Sequence, residues 1–64
     1  MFRIPVSSIS SDDTRIAGYW RAADGQGLIN MTGSTLAKAL ADLLAQCTDD
    51  EQRARILAGT IEVV

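Results

Sequence analysis

Catalysis and metal binding call on a short list of side chains, and this sequence arranges few of them in working patterns. It contains no histidine. Ser–His and Cys–His nucleophile pairs therefore lack their base, and zinc sites of mixed Cys/His ligands lack half their donors. The single cysteine, Cys47, lies on the apolar side of a helical stretch, near its C-terminal end. The partial negative charge at that end disfavours a thiolate, so Cys47 reads as an inert packing residue. It can form no intrachain disulfide. Two acidic clusters remain, Asp12-Asp13 and Asp49-Asp50-Glu51. Neither has the alternate-residue spacing of a calcium loop, nor a carboxylate–histidine pair at i, i+3. Gly25-Gln26-Gly27 lacks the third glycine of a phosphate cradle and is followed by a strand pattern, so it reads as a hairpin turn. The chain is expected to act by binding rather than as an enzyme, without cofactor or metal.

One juxtaposition asks for a partner. Tyr19 and Trp20 are neighbours in a strand-like segment, and neighbouring side chains on a strand point to opposite faces. By parity Ile16, Gly18 and Trp20 share one side, while Arg15, Ala17, Tyr19 and Arg21 share the other. With helices over one face, Trp20 is expected beneath them and Tyr19 on the open face, flanked by Arg15 and Arg21, with Arg3 close by. Arg3, Arg15, Tyr19 and Arg21 are thus the candidate partner-binding residues, and they hold half of the six basic side chains. Tyr and Arg are enriched at binding hot spots. The competing reading is a solvated sheet face coated by arginine stems.

The elements that would position these residues follow from periodicity. Phe2, Ile4 and Val6 alternate with Arg3, Pro5 and Ser7, the period of a strand. Pro5 lacks a donor and places this strand at a sheet edge. Residues 7–13, rich in Ser and Asp, read as a loop. Arg15 to Arg21 forms a second strand, and residues 28–31 return from the glycine turn as a short third. Leu36, Leu40, Leu43, Leu44 and Cys47 recur at helical spacing, with Thr32 or Ser34 to cap the start. Only Lys38, Asp42 and Gln46 form a polar edge, so this helix is expected to be buried around most of its circumference. Thr48-Asp49-Asp50-Glu51 is a capping box that opens a second helix. Ala54, Leu57 and Ala58 form its expected inward stripe, and Gly59 its expected C-cap. Thr60 to Val64 alternates as a last strand. The expected fold class is α+β, in β-β-β-α-α-β order. A sheet of three to four strands carries two helices on one face, as a single domain over residues 1–64. The first and last strands are the candidates for unpaired edges, and such an edge invites a second chain.

Composition narrows the function classes. A net charge of −2 with no basic run provides no general phosphate-neutralising footprint. At 47% hydrophobic residues the chain is too apolar to be disordered. Its longest apolar stretch, Leu36 to Cys47, falls short of the ~20 residues that span a bilayer. The beginning of the sequence lacks a signal-peptide pattern, and the lone cysteine suits a reducing compartment, so a cytoplasmic location is expected. These features favour a small acidic protein-interaction domain that binds itself, as a homodimer, or a larger protein. Its size class is that of inhibitors and host modulators encoded by phages and other mobile elements. The alternative is single-stranded nucleic acid stacked on the Arg/Tyr sheet face. A ribbon-helix-helix arrangement, with residues 27–32 as the ribbon, offers only Asn30 to base edges.

Overall fold

The computed structural model describes residues 2–64. Its elements are β1 (Phe2–Pro5), a 3₁₀ turn (Val6–Ser8), β2 (Ala17–Arg21), β3 (Leu28–Asn30), α1 (Leu36–Ala45), α2 (Asp50–Leu57) and β4 (Thr60–Val63). The order is the expected β-β-β-α-α-β. All strands join one antiparallel sheet in the order β1-β4-β2-β3. Pro5 does lie on an edge strand. Val6 N–H donates to Gly59 C=O, and by alternation the missing Pro5 donor faces away from the sheet. The last strand corrects the expectation of an unpaired edge there. β4 runs between β1 and β2, where β-branched Ile61 and Val63 are closed over from both sides. The three-residue β3 takes the other edge.

β2 and β3 form the expected hairpin. Ala22 and Gly27 close the turn, Gly25 supplies its positive φ of 77°, and Asp24 Oδ1 accepts from Gln26 N–H at 2.9 Å. The phase of β2 changes along its length. Ala17 is opposite Val63 but Tyr19 is opposite Glu62, so two steps on β2 match one on β4. This is a β-bulge at Gly18. A Cβ on Gly18 would lie 2.9 Å from Val64 Cγ2 and 3.4 Å from Glu62 C=O, so a larger residue there would have to displace the exposed Val64 side chain. Its C=O accepts from both Met31 N–H and Thr32 Oγ1–H, at 2.8 and 3.2 Å. The bulge overturns simple parity upstream of Tyr19: Ala17 is buried in the core, while Ile16, expected under the helices, is 44% exposed.

The N-cap of α1 lies one residue after Ser34. Thr35 caps it, accepting from Lys38 N–H at 3.2 Å. Of the expected caps, Thr32 instead donates its hydroxyl to the bulge carbonyl of Gly18, and Ser34 is tied to the sheet through its C=O, which accepts from Ala17 N–H at 2.8 Å. Leu36, Ala39 and Leu43 are buried. Leu40 and Leu44 are only half-buried, and Ala41 and Ala45 join Lys38 and Asp42 in solvent. The helix is therefore covered on one side rather than around most of its circumference: the sheet and α2 take its inner side, and the Ile9–Ser11 loop leaves a shallow cleft along Leu40 and Leu44. The capping box of α2 is displaced by a residue. Asp49, not Thr48, is the N-cap, accepting from Gln52 N–H at 2.7 Å, while Gln52 Oε1 reaches back to Thr48 N–H and Oγ1–H. Along this helix Ile56 turns inward, while Ala54, Leu57 (42% exposed) and Ala58 lie outside, against the expected stripe. The C-cap is Ala58. Gly59 serves instead as a point of close approach, for a Cβ there would lie 2.5 Å from Trp20 Nε1 and 2.6 Å from Arg21 C=O.

The core under the helices joins Ile4, Trp20 and Ile61 from the sheet to Leu36, Leu43 and Ile56 from the helices. Phe2 shares the parity of Ile4, but at the strand's end it is 55% exposed.

Candidate binding face

Trp20 and Tyr19 divide as their adjacency requires. The indole is buried among the helices, and its Nε1–H donates to Ile56 C=O at 3.1 Å, which satisfies the one polar atom it carries inside. Tyr19 is half-buried on the side without helices. Register fixes what surrounds it. One row across the four strands runs Arg3–Glu62–Tyr19–Asn30, and the next runs Pro5–Thr60–Arg21–Leu28.

Glu62 is the hub of this face. Its Oε1 accepts from Arg3 Nε–H at 3.3 Å and lies 3.6 Å from Arg21 Nη2. The carboxylate is only 18% exposed, held between two guanidinium groups from opposite neighbouring strands. Arg21 Nε is buried, and among the described residues it has no hydrogen-bond partner. The two arginines and one carboxylate leave a single net positive charge. Beside them stand Pro5 and Leu28, the latter 57% exposed. The face thus offers guanidinium N–H groups already positioned by a carboxylate, a phenol and an apolar border. That combination suits carboxylates and peptide carbonyls on another surface.

Arg3, Tyr19 and Arg21 are therefore brought together, while Arg15 is not. It lies upstream of the bulge, where its phase with Tyr19 is lost, and it closes a local clamp on Asp13. Its Nη2 lies 2.5 Å from Oδ2, and its Nε–H and backbone N–H both donate to Oδ1. Those hydrogen bonds from Arg15 hold the Asp13 carboxyl below its ordinary value. The Arg15 guanidinium also lies 5.9 Å from the centre of the Phe2 ring. The residue that parity reasoning missed is Glu62. A lone acid between Ile61 and Val63 was its visible signal, but joining it to Arg3 and Arg21 required the strand order.

Two shallow clefts lie elsewhere. One of about 210 Å³ is lined by Ile29, Leu43, Cys47, Ile56 and the polar ends of Gln46, Gln52 and Arg55. There the Cys47 thiol donates to Leu43 C=O at 3.3 Å. The other, of about 250 Å³, lies between Ile9–Ser11 and the outer side of α1. Among the described residues, no group of three or more His, Cys, Asp or Glu could hold a metal ion, and no helix is long and apolar enough to cross a membrane. No family model matches the chain, and no curated protein and no solved structure matches it.

Proposed function

We propose that this chain is a non-enzymatic protein-interaction domain that engages its partner through the helix-free face of the sheet, with Arg3, Tyr19 and Arg21 as the contact residues. The observation that carries this reading is the Glu62 carboxylate held between Arg3 and Arg21, beside a half-buried tyrosine. Holding the guanidinium groups in place reduces the side-chain entropy that a partner must otherwise remove. The partner surface is a protein one with carboxylates set in an apolar patch, matching the Arg/Tyr centre and the Pro5/Leu28 border. The role that follows is stoichiometric modulation of a larger protein, in a reducing, cytoplasmic setting that suits the unbridged Cys47. Single-stranded nucleic acid is the weaker candidate. Glu62 stands in the middle of the face, where a phosphate would meet it, and the whole chain is acidic at −2.

The test is the double variant Tyr19→Ala, Arg21→Ala. It should keep the fold, read by the buried Trp20 fluorescence, and lose the proteins captured from native extract by the unaltered chain. The same captured set at undiminished yield would sink the assignment of this face.

A further inference from the structure

The two edges of the sheet are finished differently. On β1 the outward backbone positions are Arg3 and Pro5, because Val6 and Gly59 form a bonded pair and bonded pairs alternate along antiparallel strands. Proline and arginine there remove a donor and add a charge, the usual protection of an edge. On β3 the outward positions are Leu28 and Asn30. Met31 N–H donates to Gly18 C=O and Ala22 N–H to Gly27 C=O, so Ile29 faces Trp20 as a bonded pair and its neighbours turn outward. Neither outward residue is charged, and neither lacks a backbone N–H.

The open stretch is also bounded symmetrically. Three residues before Ile29, Gln26 N–H is taken by Asp24 Oδ1, and three residues after it, Thr32 N–H is taken by Asn30 Oδ1, each at 2.9 Å. Between these bounds lie Leu28 and Asn30, equidistant from Ile29. We propose that β3 pairs antiparallel with β3 of a second copy, about a twofold axis at Ile29. In this register Leu28 N–H donates to Asn30 C=O of the second copy, and Asn30 N–H donates to its Leu28 C=O. Symmetry repeats both bonds, so every outward group of the stretch is satisfied by its own counterpart. The two Ile29 side chains meet across the axis on the helix side, next to the clefts lined by Ile29, Leu43 and Cys47 of each copy. The charged groups beside this edge each have an opposite partner: Arg21, next to Leu28, lies 3.6 Å from the Glu62 carboxylate that it shares with Arg3, and Asp24 pairs with Arg55 at 3.2 Å. The protected β1 edges then lie at the two ends of an eight-stranded sheet, and association stops at the dimer.

The contact is short. A standard stable interface takes about 800 Å² from each partner, roughly a fifth of the 4009 Å² this chain exposes. A three-residue edge buries less, so the dimer belongs to the weak class, with a Kd on the order of 100 µM. The proposal does not depend on the open-face reading, and its test separates the two. In sedimentation equilibrium the mass should rise from 6.9 kDa toward twice that value between about 10 µM and 1 mM. Leu28→Pro removes an N–H that no internal bond uses, and Ile29→Lys sets like charges against each other at the axis. Both should stay folded and remain monomeric. The Tyr19→Ala, Arg21→Ala variant should dimerise as the unaltered chain does. In a mixed sample of isotopically labelled and unlabelled chain, an intermolecular NOE linking Leu28 to Asn30 should appear, a result that holds even if a variant fails to fold. A monomer at 1 mM, a dimer that survives both edge variants, or a dimer without that NOE would overturn the proposal.

Discussion

On the helix side of the sheet Trp20 is closed in on every side, its one polar atom bound to Ile56 C=O; one residue earlier, Tyr19 lies half open in a row of charged side chains. The same five-residue strand thus serves two different kinds of surface. Beneath the helices, specificity comes from shape: Gly59 is there because nothing larger fits against the indole and the Arg21 carbonyl. On the open side it comes from charge, with Arg3 and Arg21 gathered by one carboxylate. Close packing makes the first face intolerant of added atoms. The second is held by ion pairs that remain partly solvated, and such pairs contribute less to stability than close packing does. The difference separates a face whose close packing carries stability from the face proposed to meet a partner.

The strongest way to break this comparison is to add one methyl group on the packed side. Gly59→Ala places a Cβ within 2.6 Å of both Trp20 Nε1 and Arg21 C=O, and the backbone oxygen cannot swing away. Overpacking of this kind costs about 1–3 kcal/mol, while a core at this length supplies only about 3–5 kcal/mol. Chemical denaturation followed by Trp20 fluorescence should show a midpoint lowered by a large fraction, or no cooperative transition at all. An unchanged midpoint would mean that the indole is not seated against Gly59.

How much of this was legible beforehand differs between the same two faces. The split of Trp20 from Tyr19 follows from strand alternation alone, the edge position of Pro5 from its missing donor, the hairpin from its glycines, and the order of elements from their different periodicities. Alternation failed at Ile16, Ala17 and Arg15, because a bulge adds a residue that no count of parity reveals. Gly18 was its only local mark. The caps moved by a single position, from Thr48 to Asp49 and from Ser34 to Thr35, since several hydroxyls and carboxylates stand in a row and tertiary bonds decide which are free. The inward side of α2 differs as well, because it is Ile56 that packs in the core with Trp20. Least legible was Glu62 as the centre of the candidate site. Its partners come from residues 41 and 59 positions away in sequence, and only the insertion of β4 between β1 and β2 brings them together.

A change at that centre sharpens the comparison from the open side. Glu62→Gln removes the carboxylate shared by Arg3 and Arg21, so each loses a partially solvated ion pair worth about 0.2–1 kcal/mol. The denaturation midpoint should move little compared with Gly59→Ala. What should change is the chemistry of the face, which gains a unit of positive charge and loses the group that repels phosphate. Retention on a single-strand oligonucleotide column at low salt should rise above that of the unaltered chain, and capture of a carboxylate-bearing protein partner should shift with it. If retention is already strong for the unaltered chain and is abolished by moderate salt, Glu62 does not screen the face and the nucleic-acid reading regains its place.

The smallest effect concerns the ion pair that ties the hairpin turn to α2. The Asp24 carboxyl is held below its ordinary 3.8, first by the Gln26 N–H it accepts and then by Arg55. A group depressed in the folded state contributes stability that is complete above its unfolded value and is lost as pH falls below it. Between neutral pH and about 4, Asp24 should therefore leave stability unchanged, and its contribution should fade only on further acidification. Asp13, depressed by its hydrogen bonds from Arg15, acts in the same direction over the same range. The Asp24–Arg55 pair is about half exposed on both sides, and Asp13, though covered, is paired with a half-exposed Arg15, so the slope is shallow and is flattened by salt. Asp24→Asn keeps an acceptor for Gln26 N–H but ends the titration. Its denaturation midpoint plotted against pH should run closer to level below about 4 than that of the unaltered chain, and identical curves would show that the turn is not fastened to α2 through this carboxylate.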